Sequence, residues 1–177
     1  LEVTRKTRES DDVVSLVLAS RGSEPLPLPA AGQFVVLRLK PDPVAIPLLR
    51  SFSLSGAPGT SVYRIGIKRE PQGIASGYLH EHVQVGDDLD VSAPRGNFIL
   101  HPGDEPVVLL SAGIGITPML SMLHALAASR SSRSIRWIYG ARNAAHHPLS
   151  EEPRTLRALL PQARANVLSR TPHASTP

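Results

Sequence analysis

Three short segments bring together side chains and backbone that suit one kind of ligand. Arg50-Ser51-Phe52-Ser53 sets a guanidinium, a ring and two hydroxyls on consecutive residues at the head of a strand. Arginine forks onto a pyrophosphate, and a ring packs against a flat heterocycle such as a flavin. The alternative is an ordinary edge strand with a solvated arginine. Gly73-Ile74-Ala75-Ser76 opens a helix, where glycine allows close backbone approach and the free N–H groups of the first turn attract an anion. Ser76 adds a hydroxyl donor there, although simple capping accounts for the same residues. Ser111-Ala112-Gly113-Ile114-Gly115-Ile116-Thr117-Pro118 lies between an apolar run and a helix, the setting a glycine-rich dinucleotide loop requires. Gly113 and Gly115 allow its tight turn, Thr117 is expected to cap the helix, and Pro118 suits its first position.

Other chemistries find less support. With no cysteine there is no disulfide framework, thiolate zinc site or iron–sulfur cluster ligated within these residues. His80 and His82 stand two apart on a helix and point in different directions, and His146-His147 falls in a loop, so no metal site is expected. The glycines around Ile114 frame no serine, which removes the nucleophile elbow of a serine hydrolase. A net charge of +4 and a pI near 10.0 raise the question of nucleic acid. Only Lys6, Lys40 and Lys68 are lysines, the arginines are scattered, and 4% aromatics is too few for a base-stacking platform. No nucleic-acid partner is expected.

The elements that must position these segments change rhythm along the chain. Up to about Asn97, short strands alternate with turn formers: Val13 to Leu18, Phe34 to Leu39, Phe52 to Ser55, Val62 to Lys68 and Leu89 to Ser92. Tyr63, Ile65 and Ile67 against Arg64, Gly66 and Lys68 is the period of two of a half-buried strand. One helix interrupts them at Ile74 to His82. This pattern predicts a small antiparallel barrel. After Pro102, Val107 to Ser111 reads as a parallel strand buried on both faces. It is followed by a helix from Pro118 to Ala128, a strand from Ile135 to Tyr139, a helix from Leu149 to Leu160 and a strand from Asn166 to Leu168. That order is β-α-β-α-β, the opening of a doubly wound sheet. The fold class expected is thus β plus α/β: a six-stranded antiparallel barrel over residues 1–101, then an incomplete doubly wound parallel-sheet domain over 102–177.

The three motifs, in this order and spacing, resemble those of the ferredoxin-NADP reductase superfamily, including flavohaemoglobin reductase domains and oxygenase reductase flavin modules. Arg50 to Ser53 matches its R-x-[YF]-S flavin signature and Gly73 to Ser76 its G-x-x-S signature. Pro94-Arg95-Gly96-Asn97-Phe98 matches the P-x-G-x-F that closes the barrel, Ala31-Gly32-Gln33-Phe34 the opening of a barrel strand, and Ser111 to Pro118 the G-x-G-x-[TS]-P pyridine-nucleotide loop. The resemblance implies FAD, with FMN second, and NADH or NADPH as electron donor. It implies an NAD(P)H-dependent flavin oxidoreductase that passes electrons to an iron–sulfur or haem acceptor, the hard step being carried by the cofactors. Arg50 would contact the flavin pyrophosphate, Phe52 would pack on the isoalloxazine ring, and Ser53 would sit near its reactive N5/O4 edge, with Ser51 also among the cofactor-binding residues. Ile67 and Lys68 would flank the ribose and adenine side, and Gly73, Ile74, Ala75 and Ser76 would hold the phosphates. Gly113, Gly115, Thr117 and Pro118 would receive NAD(P)H, and Arg142, Ser169 and Arg170 would lie by its adenosine ribose.

The family's later strands and C-terminal segment are absent, so the chain reads as C-terminally truncated, with its first parallel strand at an open edge and a tendency to associate. A flavin-binding module without turnover is the rival from another class, and a nucleotide-binding α/β protein without flavin a third reading. No window holds the ~20 apolar residues of a membrane span, and the charged opening LEVTRKTRES is no signal peptide, so a cytoplasmic location is expected.

Overall fold

A computed structural model describes residues 1–22, 24–42, 44–141, 149 and 151–169. The first half contains strands β1 (Glu2–Arg8), β2 (Val13–Ala19), β3 (Phe34–Leu39), β4 (Leu48–Ser53), β5 (Val62–Lys68) and β6 (Asp90–Val91), with helix α1 (Ile74–Glu81) after β5. They form two antiparallel three-stranded sheets, ordered β1-β2-β5 and β4-β3-β6. Single bridges join the sheets at both seams, Leu54 with Ile65 and Glu2 with Asp88, and so close the expected six-stranded barrel. The Phe34 and Arg95 main chains exchange hydrogen bonds at 3.0 and 2.9 Å, which fastens the closing segment to β3.

Alternation decides which residues fill the barrel. Val35, Leu37 and Leu39 of β3 and Ile65 and Ile67 of β5 are almost completely buried, together with Leu16 and Leu18 of β2. Removing each such side chain from water stabilises the fold by about 1.5–3 kcal/mol. Helix α1 plugs one end with Ala75 and Leu79, and Lys6 Nζ on β1 donates to the His80 and Val83 carbonyls at 2.7 and 2.6 Å. A cation on the last helical carbonyls is well placed against the helix dipole. Burial nevertheless pushes the Lys6 amine below its ordinary value, with the Asp87 charge opposing.

The second half is a parallel sheet of β7 (Val107–Ala112), β8 (Ile135–Ala141) and β9 (Ala163–Ser169), ordered β7-β8-β9. A single 3-10 turn at Gly113–Gly115 leads into α2 (Ile116–Ala128), and α3 (Glu151–Ala158) connects β8 to β9. Leu109, Ile135, Trp137 and Tyr139 pack beneath Ile116, Leu120, Leu123 and Leu156.

Three expectations are corrected. β7 is not buried on both faces, since Val108 and Leu110 are 63% and 65% exposed. Both crossovers progress in the same direction and right-handed connections place both helices on one side, so the opposite face carries no layer among the described residues. Helix α2 begins at Ile116, not Pro118, because the 3-10 turn runs directly into it. Thr117 is therefore not its cap: Gly115 occupies that position, and Thr117 Oγ1 instead donates to the Ile114 carbonyl at 3.0 Å. The Arg50 motif lies towards the end of its strand, not the head, because Leu48 and Leu49 already pair with β3. The expected open edge is present, as β7 pairs only with β8 among the described residues. No described helix is long and apolar enough to cross a membrane.

Candidate functional site

The register of β3 and β4 pairs Val35 with Phe52 and Leu37 with Arg50. Directly paired residues share a face, so Arg50 and Phe52 stand on the inward side of β4 and Ser51 and Ser53 on the outward side. Phe52 packs partly against the barrel core, while Arg50 is exposed and its only described hydrogen bond runs from Nη1 to the neighbouring Leu49 carbonyl, 2.8 Å away. Among the described residues no carboxylate pairs with Arg50. Its guanidinium therefore remains available for an anionic ligand beside a half-exposed ring.

The Leu54–Ile65 bridge continues the antiparallel register so that Ser53 comes beside Gly66 and Ser55 beside Arg64. Ser55 N donates to the Arg64 carbonyl at 2.8 Å, in keeping with that register. These four residues make up an outward strip, and the second half of the chain packs on it. A Cβ at Gly66 would lie 2.8 Å from Thr117 Cγ2 and 3.2 Å from Ile114 Cδ1. The flavin-type signature and the glycine loop, 60 residues apart in sequence, thus meet at Gly66, where only the absence of a side chain permits the approach.

The loop itself is held open. Gly113 adopts φ +52, and a Cβ built on it would meet nothing within 4 Å. Its conformation, and not crowding, calls for glycine, and the space above it is clear. Its carbonyl accepts a hydrogen bond of 3.1 Å from the buried Tyr139 hydroxyl. Nearby, Ser111 Oγ is buried with no partner among the described residues. A buried hydroxyl without a partner at a strand's C-terminal end suits a phosphate or ribose oxygen arriving there.

Burial, reinforced by the Asp12 charge, pushes the Tyr139 hydroxyl up from 10.0 to about 12. A raised acid favours the protonated form in the fold. Its contribution is complete below pH 10 and is lost as the pH climbs from 10 through about 12. Tyr139→Phe should destabilise the protein by about 1 kcal/mol at neutral pH and weaken dinucleotide binding several-fold. Its thermal stability should also fall less steeply than that of the parent between pH 10 and 12, a comparison that melting curves across this range will check.

The remaining expected residues divide into two groups. Gly73 precedes α1, and Ser76 Oγ donates to the Gly73 carbonyl while accepting from Glu70 N, both at 3.1 Å. Ser76 thus staples the turn, and Gly73 N donates to the Glu70 carbonyl at 3.0 Å, leaving the Ile74 main chain as an available donor. Ala75 and Ile67 point into the barrel core, and Ile67 presents its carbonyl to His80 Nε2 at 2.9 Å. Lys68 Nζ pairs with Glu70 at 3.3 Å. Pro118 sits in the first turn of α2, and Gly115 caps that helix. Ser169 ends β9, while Arg142 and Arg170 lie outside the described residues.

Sequence reasoning missed the cluster that joins the halves. Arg64 donates from Nε to Ser55 Oγ at 3.1 Å and from Nη2 to the Ser55 carbonyl at 2.6 Å. The same Nη2 lies 2.9 Å from both Glu152 oxygens, and His124 Nε2 donates to Glu152 Oε1 at 2.5 Å. Burial alone would raise the Glu152 carboxyl, but the His124 hydrogen bond and the Arg64 guanidinium outweigh it and hold the group below the usual carboxylate range. A glycine inside an alternating strand was the one signal in the sequence that marked this face. Nothing around Glu152 or His124 did so.

Known proteins share this arrangement. The family model described as an oxidoreductase FAD-binding domain matches residues 1–99, and that of an oxidoreductase NAD-binding domain matches residues 109–176. The flavohemoprotein of Deinococcus radiodurans is 41% identical over 165 residues, covering 93% of this chain and 41% of that protein. The flavohem-like FAD/NAD binding domain of nitric oxide dioxygenase from Vibrio cholerae superposes with a TM-score of 0.89 at 32% identity, covering 99% of this chain and 80% of that one. Phthalate dioxygenase reductase gives a TM-score of 0.82 at 27% identity, covering 99% and 53%. The chain spans 37% to 42% of the length of the flavohemoproteins it matches. By fold, motifs and these matches, the chain belongs to the ferredoxin-reductase-like oxidoreductases that join an FAD-binding domain to an NAD-binding domain.

Proposed function

We propose that this chain is a reductase module that takes electrons from NADH or NADPH into FAD and delivers them to a haem or iron–sulfur acceptor. The observation that carries the reading is the meeting at Gly66, which brings Ser53 beside the loop of Gly113, Gly115, Thr117 and Pro118. When bound, the flavin supplies the exchange between a two-electron hydride donor and one-electron acceptors.

The chain's own residues bind and orient. Arg50 neutralises the flavin pyrophosphate with a forked guanidinium. Phe52 packs on the ring system, and Ser51 and Ser53 present hydroxyls on the opposite side of the strand. The phosphates lie on the turn of Gly73, Ile74, Ala75 and Ser76 at the start of α1, where Gly73 allows close approach and the Ile74 N–H donates. Ile67 and Lys68 support the ribose and adenine side. The glycine loop admits the nicotinamide dinucleotide, Ser111 Oγ gains a partner from it, and Arg142, Ser169 and Arg170, at or just after the C-terminal ends of β8 and β9, read its ribose. Residues 1–101 form the flavin unit and 102–177 the nucleotide unit. The flavohemoprotein matches favour haem as the acceptor, supplied by a further domain or a separate protein.

The test is the absorption spectrum of the purified chain, with the released cofactor identified by chromatography, before and after anaerobic NADH or NADPH. A yellow protein carrying FAD that bleaches with one of them is the expected result. Flavin that stays oxidised would reduce the function to flavin binding, released FMN would correct the cofactor, and a folded protein that remains colourless with added FAD would overturn the reading.

A further inference from the structure

Thr117 and His124 lie seven residues apart on α2, two helical turns, and so share one face about 10 Å apart along the axis. Both face the barrel. Thr117 rests on Gly66, and His124 reaches the strip through Glu152, which holds Arg64. Met122 of α2 also packs on the barrel at Ala31 and Gly32, so the His124 end adds a directional, hydrogen-bonded contact to two packing ones and fixes the angle of the helix.

Arg64 is suited to be the fixed end of this hydrogen-bonded contact. Its guanidinium is bound to Ser55 through both the Ser55 hydroxyl and carbonyl before it meets Glu152. Its side chain is 16% exposed, with His124 at 17% and Glu152 at 26%, so water competes weakly for these bonds. Glu152, itself on α3, touches the barrel at Arg64 and α2 at His124.

We propose that Arg64, Glu152 and His124 form a positioning clamp that sets the angle of α2, and with it the distance between the glycine loop and the Ser53 edge of the barrel. The clamp does not touch the reacting atoms. It holds the loop at the separation that transfer between two bound cofactors requires, where a displacement of about 1 Å costs on the order of 100-fold in rate. Its functional consequence rests on the reductase reading above; its structural one does not.

The test uses the FAD-loaded chain. Because the protein has no cysteine, Arg5→Cys on the barrel and Arg164→Cys on β9, both exposed, introduce a single spin-label pair. Their distance distribution is measured by pulsed electron resonance, alone and combined with Glu152→Gln, Arg64→Met or both. Broadening in each variant is expected, no greater in the double variant than in the single ones, with a return towards the parent for Glu152→Asp. The limiting rate of flavin reduction should fall about 10-fold or more, with little change in half-saturating NAD(P)H or in FAD affinity. Distributions as narrow as the parent's, or effects that simply add in the double variant, would overturn the clamp. If the parent chain binds FAD without being reduced, the reductase reading fails and the distance data alone decide. Should Glu152→Gln fail to fold, Arg64→Met and His124→Gln, alone and together, carry the same comparison.

Discussion

Arg50→Ala should weaken FAD binding by roughly 10- to 150-fold while leaving the apoprotein's melting temperature unchanged. The two halves of this expectation have separate physical grounds. A hydrogen bond to a charged group contributes about 1.5–3 kcal/mol, and in this geometry arginine offers a phosphate two parallel donors. The cost in the free protein is small because Arg50 is exposed, and its described bond is to the carbonyl of its own neighbour, Leu49. Arg50→Lys keeps the charge and loses the fork, so it should fall between the two. Fluorescence titration of the apoprotein with FAD, beside a thermal melt without flavin, measures both quantities. Unchanged affinity would remove Arg50 from the flavin site, and a large drop in apoprotein stability would turn it into a structural residue.

Gly66→Ala should produce the other large effect, acting on the relation between the halves and not on either ligand. The new methyl would stand 2.8 Å from Thr117 Cγ2. Thr117 cannot turn aside without cost, because its hydroxyl is engaged with the Ile114 carbonyl and its β-branched side chain is stiff. Overpacking of this kind costs about 1–3 kcal/mol, or roughly 2–10 °C in melting temperature for a chain of this length. If α2 backs away to relieve the clash, flavin reduction should slow on the order of 100-fold, with FAD affinity little changed. Thr117→Ser in the same background removes the offending methyl and keeps the hydroxyl, and should recover most of both losses. Failure of that second substitution to rescue would mean that the contact at Gly66 is not what brings the loop to the barrel.

The local features of this chain were legible because they depend on neighbours in sequence. Alternation along Val62 to Lys68 reported which side chains fill the barrel, and glycines at 113 and 115 between a strand and a helix reported the loop. Boundaries were less legible where two local signals competed. Pro118 and Thr117 carry the marks of a helix start, yet the 3-10 turn of Gly113–Gly115 had already begun the spiral, and α2 starts two residues before Pro118. Burial of β7 was misread for a different reason. An all-apolar run says that a strand prefers to be covered on both faces, but the direction of the crossovers places both helices on one face.

By itself the sequence determined the order of elements, the motif residues and the family, since each follows from spacing within a few residues. The tertiary structure alone decided that Ser53, Gly66 and Thr117 share one seam, and that Glu152 bridges Arg64 to His124. Such contacts join residues 13 to 88 positions apart. The energy that selects them comes from burial and charge pairing after the barrel has closed and the sheet has formed, so no pattern in the chain before folding records it.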